Sequence, residues 1–121
     1  MENRQIQILK RNADFLRIKK SGRRFLASEW LLVNYTKSST NSFCYGITVS
    51  RKVGEAVMRN KLKRWVREEV RAYLGKQSEI SADVNFIFKA MPEGFYKKLF
   101  YSEFKKDFCA ALDRLRKYCE N

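Results

Sequence analysis

The sequence predicts an α+β fold built as a single domain over residues 1–121, and three observations support this prediction. The chain has 121 residues, a common length for one compact domain. Hydrophobic residues make up 45% of it, enough to form one core. Segments of strand composition are interleaved with segments of helical periodicity, in the order helix, two strands, helix, strand, helix.

The first half of the chain predicts a short helix followed by two strands. Asn12 can cap the helix, and Gly22 can end it in a left-handed turn. The segment WLLVNYT, residues 30–36, is rich in β-branched and aromatic side chains and leads into the turn-forming KSSTNS. In FCYGITVS, residues 43–50, large apolar residues alternate with small or polar ones. One face of this strand is therefore expected to join the core.

The second half predicts a long helix, a strand and a final helix. Helical periodicity runs from about Glu55 to Leu74 and closes at Gly75. VNFIFKA, residues 84–90, is the third strand, and Ser102 can cap the last helix. The apolar stripe predicted on that helix consists of Phe104, Phe108, Ala111, Leu112 and Leu115.

Charge and composition narrow the classes of protein to which the chain can belong. Lys and Arg number 26 against 13 Asp and Glu, and the net charge of +13 indicates a polyanionic partner. No apolar run approaches the roughly 18 residues that a membrane-spanning helix needs. The amino-terminal MENRQIQILKRNADF is polar where a signal peptide would be apolar, so the sequence predicts a cytoplasmic protein.

The residue types that usually carry catalysis or bind metals are sparse or scattered. Cys44, Cys109 and Cys119 are spaced too irregularly for a disulfide framework or a zinc knuckle, so packed, reduced thiols are expected. The chain has no histidine, the commonest general base, and no evident carboxylate cluster of the kind that two-metal nucleases use. The sequence therefore predicts neither a catalytic residue nor a metal ligand on the protein.

The long helix has two faces of opposite character. On a wheel of 100° per residue, one arc of about 100° is apolar and is expected to face the sheet. This apolar arc consists of Met58, Leu62, Trp65, Val66 and Tyr73. The opposite arc is polar and strongly cationic. This basic face consists of Asn60, Lys63, Arg64, Arg67 and Arg71.

Like charges repel along the basic face. Lys63 and Arg67, and likewise Arg67 and Arg71, are four residues apart, and each pair costs roughly a few tenths of a kcal/mol. An ordinary solvated surface helix is the simpler interpretation of a charge run. Phosphates would relieve this repulsion, however, and Asn60 can meet a base edge or a ribose hydroxyl. The favoured interpretation is a helix with one packing face and one polyanion-binding face.

The segment GITVSRKVGEAVMRNKLKRWVRE, residues 46–68, resembles the signature of the bacterial ribonuclease P protein component. That signature is R-N-R followed by x-K-R-x-x-R-E, with V-S-K-K-x-G before it. The matching residues are Val49, Ser50, Arg51, Lys52, Gly54, Arg59, Asn60, Lys63, Arg64, Arg67 and Glu68. Lys61 departs from the third residue of the signature, keeping the charge but losing the bidentate fork of arginine. NADFLRIKKSG and DVNFIFKAMP also resemble segments of this family.

The resemblance implies an RNA-binding subunit of a ribonucleoprotein that removes the 5′ leader from precursor tRNA. The RNA subunit would be catalytic, and magnesium in the holoenzyme would be held mainly by RNA. The implied partners are that RNA and precursor tRNA, with neither DNA nor a membrane. The residues implied to bind the catalytic RNA are Arg51, Lys52, Arg59, Asn60, Lys61, Lys63, Arg64, Arg67 and Arg71.

The resemblance also implies a cleft for the single-stranded leader, between the first helix and the open face of the sheet. The residues implied to line it are Phe15, Lys19, Val33, Thr48 and Lys89. Lys19 and Val33 stand where aromatic residues are often found, so a backbone contact at Lys19 is expected in place of stacking. For Phe15, packing in the core is the alternative interpretation.

The fold implied by the resemblance is a two-layer α/β sandwich with a mixed sheet of about four strands. The basic helix would cross between two parallel neighbouring strands in a left-handed βαβ unit, against the general preference for right-handed crossovers.

Two rival functions are open at this point. A ribosomal or other structural RNA-binding protein could use the same basic helix only to stabilise folded RNA. A helix that binds acidic membranes is disfavoured, because its apolar arc is needed for the core.

Overall fold

The computed structural model describes residues 6–9, 12–38, 42–75 and 80–120, which form one sheet and three helices. The strands are β1 (Ile6–Ile8), β2 (Arg23–Ser28), β3 (Leu31–Lys37), β4 (Phe43–Val49) and β5 (Ala82–Phe88). The helices are α1 (Asn12–Ser21), α2 (Ala56–Leu74) and α3 (Tyr101–Tyr118). No helix within these residues is long and apolar enough to cross a membrane.

The sheet is mixed, with the strand order β1-β4-β5-β3-β2. β4 runs parallel to β1 and β5, whereas β3 runs antiparallel to β5 and β2. α2 therefore connects two adjacent parallel strands, β4 and β5, as the resemblance implies. The left-handed sense expected for this crossover remains a prediction. The predicted α+β class is confirmed, with five strands in place of about four.

β1 and β2, the two strands at the edges of the sheet, are absent from the pattern that the sequence predicts. All three residues of β1 are exposed, so no buried side chain marks it as a strand. β2 buries only Phe25 and begins with two arginines. Both strands form because a neighbouring strand offers backbone hydrogen-bonding partners. Local composition does not show whether such a neighbour is present.

The core lies between the sheet and the pair of helices α2 and α3. Its centre is aromatic: the rings of Phe104 and Phe108 stack with centroids 5.2 Å apart, and Trp30 stacks on Phe104 at 5.6 Å. All five residues of the stripe predicted on α3 are buried, which confirms that stripe. The predicted core face of β4 is confirmed too, since Phe43 and Tyr45 are buried.

The first helix ends at Ser21 as predicted, but two predicted helix caps are wrong. Gly22 does not adopt a left-handed turn, and Gly94 is the glycine whose φ is positive, at +83°. Ser102 does not cap α3, because Phe100 occupies the N-cap position. The backbone N–H of Phe100 donates to Glu103 Oε1 at 3.3 Å. A carboxylate of the first turn therefore satisfies a backbone N–H at the start of this helix.

Gly22 is required for a steric reason. A Cβ added there would lie 2.3 Å from the Ile18 carbonyl oxygen and 2.7 Å from the Tyr35 carbonyl oxygen. Both atoms belong to the backbone, so no side-chain adjustment can relieve the overlap. The close approach brings the end of α1 against β3.

Replacing Gly22 by alanine should lower the free energy of unfolding by about 1–3 kcal/mol, because the added methyl group must push α1 away from β3. Gly75→Ala is the matched control, since Gly75 has a helical φ of −73° and its added Cβ would be 3.1 Å from the nearest atom. Urea unfolding followed by circular dichroism measures both variants. Equal stability of the two would contradict the steric explanation.

Candidate nucleic-acid interface

The apolar arc of α2 is the side that packs. Leu62 and Val66 are fully buried and Trp65 nearly so, while Met58 and Tyr73 pack against the core from partly exposed positions. Both the sheet and α3 contact this side of the helix. The predicted orientation of α2 is therefore confirmed.

The basic face is directed away from the core. Asn60, Arg64, Arg67 and Arg71 are exposed, and Lys63 is half-buried. Within the described part of the chain, the ion pairs involve only Arg17 and Arg116, on α1 and α3. The cations of the basic face have no carboxylate partner there, so their field is available to a polyanion.

Four residues of the implied RNA-binding set lie outside the basic face. Arg51 and Lys52 are exposed in the turn that follows β4. The Arg59 guanidinium donates through Nε to the Gly54 carbonyl oxygen at 3.1 Å, which joins α2 to the preceding loop. The Lys61 ammonium lies 4.7 Å above the centre of the Trp65 ring, a cation–π contact. The implied set therefore extends beyond the basic face, to the turn before α2 and to other positions around the helix.

Glu69 fixes the contact between α2 and α3, and the sequence prediction missed this role. It lies in the middle of the apolar arc on the helical wheel, and it is only 4% exposed. The Tyr101 hydroxyl donates to Glu69 Oε2, and the Cys109 thiol donates to Oε1 at 3.6 Å. A carboxylate at the centre of an apolar arc is the signal that could have revealed this contact.

The Glu69 contacts join α2 to α3, and burial together with these contacts raises the pKa values of the two α3 side chains that donate to this carboxylate. Burial, followed by the hydrogen bond to Glu69, raises the pKa of Tyr101 to about 12. Burial and the nearby Glu69 charge also raise the pKa of the Cys109 thiol. Another hydrogen bond between the helices is on their exposed side, where the Tyr73 hydroxyl donates to Asp113 Oδ1 at 2.5 Å.

The sheet face opposite α2 and α3, here termed the open face, is partly covered by α1. Arg17 of α1 donates to Asp83 Oδ2 at 2.8 Å, and the Phe15 ring lies directly over Gly46. A Cβ at position 46 would be 2.4 Å from the ring, so this glycine makes room for it. Phe15 thus has a packing role, although it stays half-exposed.

Two asparagines lie side by side on the open face. Asn34 and Asn85 are directly paired across β3 and β5, and they are 7% and 8% exposed. The Thr48 hydroxyl donates to Asn85 Oδ1 at 3.0 Å, while no described residue forms a side-chain hydrogen bond with Asn34. Sequence reasoning missed both, although amides within otherwise apolar strands are an available signal.

The assignment of Val33 to the leader cleft is wrong. Its side chain is fully buried in the core on the side of α2 and α3. Successive residues of a strand point to opposite faces, so Leu32 and Asn34 occupy the open face instead. Thr48 is on the open face and exposed, Lys19 is exposed on α1, and Lys89 is exposed just after β5.

The cysteines are unpaired, and within the described residues they form no metal-binding group with the acidic side chains. Cys44, Cys109 and Cys119 are free thiols. Among the residues with described positions, no group of three His, Cys, Asp or Glu side chains has the arrangement to hold a metal ion.

The fold and its surfaces define a class, the small, strongly basic α+β proteins that present a cationic helix face beside a partly covered sheet. The family model for Ribonuclease P matches residues 4–116 of the 121-residue chain. The chain belongs to the ribonuclease P protein component family. The resemblance found in the sequence is confirmed.

Individual relatives agree with this assignment. The ribonuclease P protein component of Staphylococcus epidermidis is 37% identical over 76 residues, which cover 63% of this chain and 64% of that protein. The match to this curated relative thus spans just under two thirds of its length. The protein component of Clostridioides difficile is 33% identical over 79 residues, covering 65% of this chain and 68% of that protein.

Solved structures extend the comparison to the whole fold. The RNase P protein from Thermotoga maritima has a TM-score of 0.76 and 29% identity, with 96% of this chain and 97% of that chain covered. The Staphylococcus aureus RNase P protein has a TM-score of 0.73 and 27% identity, with coverage of 93% and 94%. The mixed sheet with its three helices matches the fold of these proteins.

The raised pKa of Tyr101 predicts how the stability of the fold changes at alkaline pH. The pKa of its phenol rises from 10.0 to about 12 on folding, so its contribution to stability is complete below pH 10 and is lost between about pH 10 and 12. Tyr101→Phe should therefore be less stable than the parent chain at neutral pH but lose less stability across that interval. Urea midpoints measured from pH 8 upward test this, with Tyr118→Phe as a partly exposed control. Parallel pH profiles for the parent chain and Tyr101→Phe would contradict the assignment.

Proposed function

We propose that the chain is the RNA-binding protein subunit of ribonuclease P, which removes the 5′ leader from precursor tRNA by endonucleolytic cleavage. In this proposal the RNA subunit is catalytic. The protein binds that RNA and the leader, and thereby broadens substrate use and lowers the magnesium requirement. Family membership supports the proposal.

The single observation that carries the proposal is the orientation of α2. Its apolar arc is buried, and its basic face is exposed without a carboxylate partner in the described part of the chain. A helix surface of this kind is suited to the phosphates of a folded RNA, because Arg guanidinium groups bind phosphate oxygens in bidentate fashion. Asn60 adds a donor and an acceptor for a base edge or ribose hydroxyl.

We assign binding of the leader to the part of the open face that α1 does not cover. The Phe15 ring offers a stacking surface, and Thr48, Lys19 and Lys89 lie on the same side of the sheet or above it. Asn34 and Asn85 replace Val33 in this set, because the described residues leave hydrogen-bonding groups of both amides unused. A single-stranded leader fits such a surface better than a duplex, since its bases are free to stack.

Magnesium has no place on the protein in this proposal. The side chains of the described residues do not fit a metal centre, so we assign the magnesium of the holoenzyme mainly to the RNA. The protein would act by neutralising phosphate charge, which reduces the cation concentration that the folded RNA requires.

Reconstitution tests the proposal as a whole. The protein free of RNA should not cleave precursor tRNA, and adding a bacterial ribonuclease P RNA should give leader removal at lower magnesium than that RNA alone needs. Gel analysis of the released leader measures both reactions. Cleavage by rigorously RNA-free protein, or no effect of the protein on the RNA reaction, would overturn it. The latter result would favour a structural RNA-binding protein.

Binding of the catalytic RNA should weaken steeply with salt, and Arg64→Ala or Arg67→Ala should each flatten the slope of log affinity against log salt by about one unit. Lys106→Ala is the matched control, because Lys106 is also an exposed cation but lies on α3. Filter binding over a salt series measures the slopes. Slopes unchanged in both arginine variants would exclude the basic face as the contact.

Phe15→Ala should weaken binding of precursor tRNA while leaving binding of mature tRNA, which has no leader, nearly unchanged. Loss of one base stack costs about 1–3 kcal/mol. Lys19→Ala should weaken precursor binding less, and only at low salt. Leu16→Ala is the control, since Leu16 is a neighbouring α1 residue that is 55% exposed.

Because Phe15 also packs on Gly46, the melting temperature of each variant is needed beside its affinity. Equal losses of affinity for precursor and mature tRNA, together with a lowered melting temperature, would assign Phe15 to packing alone.

A further inference from the structure

A groove separates the start of α2 from the loop that follows β5, away from the basic face. Its volume is about 640 Å³, within the range of about 300–1,000 Å³ typical of ligand sites. Val53, Met58, Met91 and Pro92 supply apolar walls. Val57 also lines the groove and is 81% exposed, so apolar surface remains uncovered there.

The groove is also charged. Lys52, Lys61 and Lys97 line it from three separate segments of the chain, and Glu55 and Glu93 line it as well. The Lys61 ammonium is held 4.7 Å from the centre of the Trp65 ring, which limits its range of positions. The fitting ligand therefore combines a flat apolar body with anionic groups and hydrogen-bond donors.

Local hydrogen bonds hold the two walls in place. On the α2 side, Arg59 Nε donates to the Gly54 carbonyl oxygen at 3.1 Å. On the other side, the Tyr96 hydroxyl donates to the Lys89 carbonyl oxygen at 2.5 Å. Because the walls are preformed, binding would not require the loop to become ordered first.

We propose that this groove binds an unpaired nucleotide of RNA. The base lies against the thioethers of Met58 and Met91 and the Pro92 ring, and the flanking phosphates face the lysines. Glu55 and Glu93 accept hydrogen bonds from a base amino group or a ribose hydroxyl. The inference rests on the proposed function in one respect, since both require the chain to bind RNA.

Methionine methyl groups provide a direct test. The chain has three methionines, of which Met58 and Met91 line the groove and Met1 serves as an internal reference. In the full chain labelled with ¹³C at the methionine methyls, a short single-stranded oligoadenylate should shift the Met58 and Met91 signals upfield, because they lie over the base. An abasic oligomer of the same length should not.

Equal shifts with the abasic oligomer, or unshifted Met58 and Met91 signals at saturating oligoadenylate, would overturn the groove assignment alone. Failure of the oligoadenylate and of the catalytic RNA to bind anywhere on the chain would overturn the proposed function with it.

Two matched pairs of variants locate the contact. Val57→Asp places a carboxylate at the groove and should weaken oligoadenylate binding, read from the Met91 methyl, by about tenfold. Ala56→Asp adds the same charge in the same helical turn but outside the groove, and should have little effect. Acidic residues are favourable in a first helical turn, so both variants should fold.

The second pair is Lys97→Ala and Lys98→Ala, because Lys97 lines the groove whereas the adjacent Lys98 does not. Lys97→Ala should weaken this binding more than Lys98→Ala. Equal effects within either pair would show that general electrostatics, and not the groove, accounts for the binding.

Discussion

The burial of one side of α2 is the constraint on which the rest of this structure depends. Leu62 and Val66 are fully buried beneath the sheet and α3, each stabilising the fold by about 1.5–3 kcal/mol. Rotating α2 by one residue would carry cations toward the core, where an unpaired charge is far more costly than an exposed methyl group. The packing of one side therefore decides where Arg64 and Arg67 point.

Apolar burial alone would tolerate small changes in how α2 meets α3, and Glu69 restricts them. A carboxylate that is 4% exposed needs its hydrogen-bond partners, and Tyr101 and Cys109 on α3 provide them. Displacing α3 along α2 would leave this carboxylate unsatisfied, at a cost of about 1–3 kcal/mol or more. The two helices are thus fixed relative to each other, and the groove beside α2 shares that fixed wall.

The open face of the sheet differs from the core face, because its small and polar residues leave it partly uncovered. Gly46 makes room for the Phe15 ring, and Arg17 holds α1 to Asp83. Beside them lie the amides of Asn34 and Asn85, and Thr48 is the one described residue that forms a side-chain hydrogen bond with either of them. A surface for a flexible chain needs this combination of a rigid floor and unused polar groups, which a fully packed face could not offer.

The sequence by itself determined the periodic features of this protein, namely which faces of its helices and strands are buried. The 3.6-residue period of α2 and α3 and the alternation in β4 predict their buried faces correctly, because each pattern depends only on local geometry and on the apolar or polar nature of the side chains. The basic face and the family signature follow from the same linear information. Only the tertiary structure decided the edge strands, the face on which Val33 lies, the partners of Glu69 and the placement of Lys61 over Trp65. Each of these depends on contacts between residues distant in the chain or on the exact rotation of a helix, and neither composition nor period specifies such contacts.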